Sequence, residues 1–218
     1  MNTADSGASR VVLAFGEHRP GRALGDLPAQ RIDTHAEIDS AIGAYRRVVA
    51  VGTDADLAAL LSRLLRAGRL DVEVAYVPRR RTAATRVYRL PAGRRAARRA
   101  LHGSAHRVPL IRDDTGSVVV GRARWLPPDD GTLLHGEATV DDTQLFDGDV
   151  VGVDIEPTLT APGLRARVAQ RRWRGWIAGR AAQLGSTGVA VVRDGVPVPR
   201  VMRRSTFYRN VEGWLLVR

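Results

Sequence analysis

Apolar runs of strand length alternate with segments of helical period through the first third of the chain. Val11-Val12-Leu13-Ala14-Phe15 and Val48-Val49-Ala50-Val51 are unbroken enough to predict strands buried on both faces, and residues 72–77, closed by Pro78, predict a third. Between the first two, Thr34-His35-Ala36-Glu37 has the spacing of a capping box, with Ile38, Ile42 and Tyr45 on the inner face of the helix it starts. Leu57, Leu60, Leu61, Leu64 and Leu65 recur at i, i+3, i+4, i+7 and i+8, with Gly68 placed to end that helix. Parallel strands joined by helical crossovers are the economical arrangement.

The pattern changes after Pro91. Residues 92–101 predict a short Arg-rich helix, and from His106 onward β-branched runs are punctuated by Gly, Asp and Pro. Residues 108–112 and 118–122 flank Asp113-Asp114-Thr115-Gly116, a hairpin turn. Further strands are predicted at 133–140, 150–155, 164–169, 189–193 and 214–217, with a helical or irregular stretch around 171–184. The fold class is therefore an α/β N-terminal half, Rossmann-like in three layers on a parallel sheet, followed by a mostly antiparallel β domain. The boundary is placed at 105/106, giving a nucleotide-binding-like domain over 1–105 and a β-rich domain over 106–218.

Composition narrows the chemistry. The 218 residues hold 34 basic side chains against 23 acidic ones, 34 − 23 = +11, and all 34 are Arg. Without Lys there is no P-loop lysine, Schiff base or lysine general base. Without Cys there is no thiolate nucleophile, disulfide or cysteine metal site. The start, MNTADSGASR, has no apolar run behind a charged segment, so the expectation is a cytoplasmic protein, with peripheral membrane contact as the variant.

The charge is concentrated. From Arg79 to Arg124 there are 13 Arg and two acids, whereas the remainder balances at 21 against 21. Arg94, Arg95, Arg98 and Arg99 fall on one helical face, and Arg79, Arg80 and Arg81 precede them. Such a face attracts phosphate, and nucleotide, anionic lipid or membrane, protein and nucleic acid are its candidate partners; a plain solvated face is the alternative. Arg171-Arg172-Trp173-Arg174-Gly175-Trp176 mixes Arg with Trp as a stacking surface would, or else its Trp side chains pack into the β core.

The strand 48–51 runs through Gly52-Thr53-Asp54-Ala55-Asp56 straight into the leucine helix, the setting in which phosphate sites are built. Asp54 or Asp56 as N-cap is the plainer explanation of the acids. VVAVGTDADLAALLSRLL resembles the strand, GGDGT turn and helix of the diacylglycerol kinase catalytic domain family, whose superfamily includes sphingosine kinases, bacterial lipid kinases and NAD kinases. VPRRRTAATRVYRLP stands where that family has its proline and GTxN segment, and Arg193-Asp194-Gly195-Val196-Pro197 resembles its DGE hairpin.

The resemblance implies transfer of the ATP γ-phosphoryl group to a lipid hydroxyl with Mg²⁺, and the departures bear directly on that chemistry. Thr53 and Ala55 replace the second and third glycines, whose missing Cβ atoms let amides approach phosphates. Arg80 or Arg81 stands in place of the second-loop glycine beside Thr82, with no asparagine after it, and Val196 replaces a glutamate. By resemblance, Asp54 and Asp194 are the surviving catalytic positions, and Gly52, Thr53, Asp54, Arg80, Arg81 and Thr82 are the nucleotide-binding ones. Because phosphoryl transfer rests on positioning and charge neutralisation, the expectation is a degenerate member with ATP and Mg²⁺ use weakened or lost. An Arg-surface binding module for anionic lipid or protein is the alternative, and a nucleic-acid-binding protein the third.

Three other patterns carry less. Asp114-Thr115-Gly116-Ser117 matches the aspartic-protease signature but has no second copy, so a turn is expected. Glu137, Asp141, Asp142, Asp147, Asp149, Asp154 and Glu156 crowd one stretch without EF-hand spacing, the pattern of turn acids. The five His lack zinc spacing.

Overall fold

The computed structural model describes residues 10–43, 45–128, 131–169 and 175–218. They form two compact units, one of Met1–Val108 with Glu212–Arg218 and the other of Pro109–Val211.

The first unit is a six-stranded sheet in the order β2-β1-β3-β4-β17-β5. Its strands are β1 (Arg10–Phe15), β2 (Ala29–Ile32), β3 (Arg47–Val51), β4 (Glu73–Tyr76), β5 (Ala105–Val108) and the C-terminal β17 (Trp214–Val217). All are parallel except β5, which runs against β17. Helices α1 (His35–Ile42) and α2 (Asp54–Arg66) are the crossovers into β3 and β4; α3 (Ala83–Val87) and α4 (Gly93–His102) follow β4. The capping box at Thr34 and Glu37 forms as the spacing predicts, and Leu57, Leu60, Leu61 and Leu64 are buried. On one face of the sheet Val12, Val49, Val51 and Ala75 pack with Leu24 of a 3-10 turn and with Ala96, Ala97 and Ala100 of α4. The alternate residues Val11, Leu13, Val48, Ala50 and Val74 face the other way, where right-handed crossovers put α1 and α2.

Strand order explains where a ligand site can form in this unit. The connection from β1 to β2 leaves in one direction, and the chain then returns across β1 to reach β3. The carboxyl ends of β1 and β3 therefore flank a switch point, the usual crevice in open α/β sheets. Gly16, at φ +55°, and Gly52 stand at those two ends.

The second unit is antiparallel throughout. Its strands are β6 (Ile111–Asp113), β7 (Val118–Val119), β8 (Ala123–Leu126), β9 (Leu134–Val140), β10 (Thr143–Val150), β11 (Val153–Pro157), β12 (Leu164–Val168), β13 (Ile177–Gly179), β14 (Ala181–Arg193), β15 (Val196–Pro197) and β16 (Met202–Arg209). Their core holds Trp125, Phe207, Leu134, Ile155 and Leu164. β14 changes register between Gly185 and Val189, which lets one long strand pair with β9 and β16 along one part and with β8 and β15 along the other.

The structure corrects several expectations. The helical or irregular stretch at 171–184 contains β13 and the start of β14 instead; alternating burial at Ala182, Gln183 and Leu184 is a strand pattern that the glycines beyond obscured. Residues 214–217 form a strand, but it inserts beside β4 in the first unit, so residues 212–218 go with that unit. The division falls between Val108 and Pro109. Strand 150–155 is interrupted at Gly152, whose φ of +142° breaks the run before β11. Among the described residues no helix is long and apolar enough to cross a membrane.

Candidate functional site

β3 ends at Val51, and Gly52-Thr53 turn the chain into α2. Thr53 is extended, and its hydroxyl accepts from the Asp56 amide at 3.3 Å while the Asp56 carboxylate accepts from the Thr53 amide at 2.7 Å. The Thr53 hydroxyl donates to that same carboxylate at 2.8 Å. The N-cap is therefore Thr53 and not either aspartate, because only the extended residue before the first helical one can aim its side chain at the N3 amide. A Cβ built on Gly52 would lie 2.6 Å from the Asp56 carboxylate oxygen, so the glycine is required by this acid. Asp56 stands where the GGDGT pattern has its threonine.

Asp54 is the first residue of α2. Its carboxylate accepts from the Tyr76 hydroxyl at 2.8 Å and from the Ala84 amide at 3.1 Å. Burial, and after it the Asp54 charge, push the Tyr76 phenol far above its ordinary value, so it remains a donor. In the next loop Thr82 caps α3: its hydroxyl accepts from the Thr85 amide at 3.2 Å, and its own amide donates to the Thr85 hydroxyl at 2.8 Å. Gly52, Thr53, Asp54 and Thr82 are thus brought to one end of the sheet, joined through Tyr76 and Ala84. Sequence reasoning missed Tyr76, because nothing in a strand-terminal tyrosine shows that its hydroxyl meets an aspartate 22 residues earlier.

Arg80 and Arg81 are exposed just before Thr82. Arg94, Arg95, Arg98 and Arg99 occupy the solvent side of α4, opposite its buried alanines. The start of α4 is held against the loop by the Gly93 amide, which donates to the Pro78 carbonyl at 2.8 Å.

Asp194 belongs to the second unit. With Gly195 it forms the two-residue turn between β14 and β15, both at positive φ (+48° and +87°), as a type I′ hairpin demands. Its carboxylate accepts from the amides of Gly121 at 2.7 Å, Arg122 at 2.9 Å and Val120 at 3.0 Å. Val196, in the glutamate position, is exposed.

The crowded acids have separate duties. The Asp141 carboxylate accepts from the Arg180 and Ala181 amides, and Asp149 pairs with His135. Asp154 and Glu156 are buried on β11 between Arg122 just before β8, Arg124 of β8 and the arginines of β12: Glu156 meets Arg122 at 2.6 Å and Arg165 at 2.7 Å, and Asp154 meets Arg124 at 3.2 Å and Arg167 at 3.4 Å. Burial raises the Glu156 carboxyl, but hydrogen bonds from Arg165 and Arg122 outweigh it and hold the group below its ordinary value. Trp176 stacks beneath Arg165 and Arg167, 4.3 Å and 4.5 Å from ring centre to guanidinium. The i, i+2 spacing of these charges was the available signal for this ladder. Arg171, Arg172, Trp173 and Arg174 lie outside the described residues. The protease-like motif is a turn organised by Asp113, whose carboxylate accepts from the Thr115 and Ser117 amides and pairs with Arg193.

No protein-family model and no curated protein matches the chain. Solved structures do. A putative diacylglycerol kinase from Bacillus anthracis superposes with a TM-score of 0.73 at 9% identity, covering 96% of each chain. An NAD kinase from Archaeoglobus fulgidus, in complex with ATP, gives 0.66 at 12% identity over 96% of this chain and 93% of that one. Yeast NADH kinase complexed with NADH gives 0.58 at 8% identity over 98% and 84%. An α/β unit with a parallel sheet, an antiparallel β unit and these full-length superpositions together make this the fold of the diacylglycerol kinases and NAD kinases.

Proposed function

We propose that this chain is a non-catalytic representative of the kinase fold, in which ATP-dependent phosphoryl transfer to lipid is lost and nucleotide binding at the Gly52–Asp56 turn is weakened. The observation that carries this reading is the Asp56 carboxylate. It accepts from the Thr53 amide and hydroxyl, so a built-in anion fills the turn that would otherwise cradle a phosphate. A second negative group arriving there meets both that charge and the side chains of Thr53 and Ala55.

The acids left from the motifs do not suit Mg²⁺ either. The Asp54 carboxylate is engaged by a hydroxyl and an amide, and the Asp194 carboxylate by three amides. Such donors satisfy a carboxylate in place of a cation, whereas Mg²⁺ requires free oxygen ligands. Asp54 serves in this reading to position α3 and Tyr76, and Asp194 to close its hairpin.

Incubation with γ-labelled ATP and Mg²⁺, offered diacylglycerol vesicles in one reaction and NAD in another, tests the proposal. The expected result is no labelled product in either. Time-dependent labelling that Asp54→Asn abolishes would overturn it.

A further inference from the structure

Residues 79–99 carry nine arginines and no acidic residue. All nine are exposed, and none has an ion-pair partner among the described residues. Elsewhere in the same unit Arg31, Arg47, Arg63, Arg69 and Arg107 are paired with carboxylates. Arg19, Arg22, Arg46 and Arg66 also lack an ion pair among the described residues but are scattered, whereas the connection through α3 and α4 gathers nine arginines with no acid among them.

That segment works against its own helix. Arg94 and Arg95 lie in the first turn of α4, at the positive end of its dipole, with no acid beside them and no side-chain cap from Ala92. Arg94 and Arg98, and likewise Arg95 and Arg99, are like charges at i, i+4, a destabilising spacing. Arg89 stands at φ +54°, a conformation that a side chain of this kind rarely takes. The first two features disfavour the free helix and the third strains the loop before it, and the charge-related ones are relieved when an anion lies along the arginine face.

We propose that the exposed face of α4 and the adjoining loop bind the phosphodiester backbone of nucleic acid without regard to sequence. The ten residues of α4 span about 15 Å, more than a mononucleotide's phosphates need, so the ligand is a repeated anion. Nothing in the segment suits insertion into a bilayer. The apolar side of α4, Ala96, Ala97 and Ala100, is buried against the sheet, Tyr88 and Leu90 are buried too, and among the described residues every exposed large apolar side chain belongs to the other unit. No exposed aromatic accompanies the arginines, which leaves phosphate contacts without base reading. This surface is independent of whether the Gly52 turn holds ATP.

The test is fluorescence anisotropy of the full chain with a labelled mixed-sequence duplex of about 20 base pairs, across a range of salt. Binding is expected to be indifferent to sequence, with log affinity falling linearly in log salt at a slope of about −0.9 per phosphate neutralised. The variant R94Q/R95Q/R98Q/R99Q should flatten that slope by about 3 to 4. The variant R180Q/R200Q/R203Q/R204Q removes equal charge from the other unit and should leave the slope nearly unchanged. Thermal melts establish that both variants fold. Absence of binding at low salt, equal effects of the two variants, or binding to phosphatidylserine–phosphatidylcholine vesicles without binding to the duplex would each overturn the proposal.

Discussion

Replacing Asp194 by Ala separates a structural carboxylate from a chemical one. The substitution removes three charge-assisted hydrogen bonds, to the amides of Val120, Gly121 and Arg122. Bonds of that kind are worth about 1.5–3 kcal/mol each, and a donor left buried costs about 1–3 kcal/mol. Val120 and Gly121 are buried, so water replaces their lost partner poorly, whereas the half-buried Arg122 is more easily served. Alanine at φ +48° adds about 1 kcal/mol of backbone strain. The expected loss is about 4–5 kcal/mol, comparable to the whole stability of a marginal domain. Asp194→Asn keeps one acceptor oxygen and tolerates the left-handed conformation, so about 2 kcal/mol is expected. Urea unfolding with Trp fluorescence measures both, Trp125 being buried in the same unit. A loss below about 1 kcal/mol in Asp194→Ala, accompanied by loss of nucleotide binding, would refute the structural role and return the residue to chemistry.

Other perturbations probe neighbouring parts of the account. Tyr76→Phe removes one of the two donors to Asp54 and should cost about 1–2 kcal/mol in urea unfolding, with the α3 amides exchanging faster. Gly52→Ala drives a methyl against the Asp56 carboxylate and should cost about 1–3 kcal/mol, most of it recovered in an Asp56→Ser background; equal losses in both backgrounds would refute the contact. Glu156 is held below its ordinary value of 4.5, so its stabilisation is fully present above that pH and is lost as pH falls through the lower folded value. Acid titration of the melting temperature should therefore fall less steeply in Glu156→Gln than in the parent, and parallel curves would contradict this.

Much of the first unit was legible because its signals are local. The apolar runs at 11–15 and 48–51 and the leucine spacing of α2 specify buried parallel strands and an amphipathic crossover from side-chain period alone. The place of β17 was not legible: Trp214-Leu215-Leu216-Val217 reads as a strand in any sheet, and only tertiary pairing selects β4 as its neighbour. In β14 the Gly185-Ser186-Thr187-Gly188 stretch hides a register shift that local propensity cannot distinguish from a loop. At the candidate site the departures from GGDGT were visible as letters. What they do was not, because the Asp56 carboxylate occupying the turn depends on a capping geometry that spacing suggested at Thr34 and that went unrecognised at Thr53. Asp194 was visible as a hairpin residue, while its three amide partners lie more than 70 positions away in the chain.

The central claim is that a built-in carboxylate has taken the phosphate's place at the Gly52 turn. Calorimetric titration with ATP, with and without Mg²⁺, of the parent and of the triple variant Thr53→Gly, Ala55→Gly, Asp56→Thr tests it most directly. The account predicts no magnesium-dependent heat in the parent at millimolar ATP and a measurable gain in the variant, which restores the small residues and removes the competing anion. Tight magnesium-dependent binding by the parent, lost on Asp54→Asn, would contradict it.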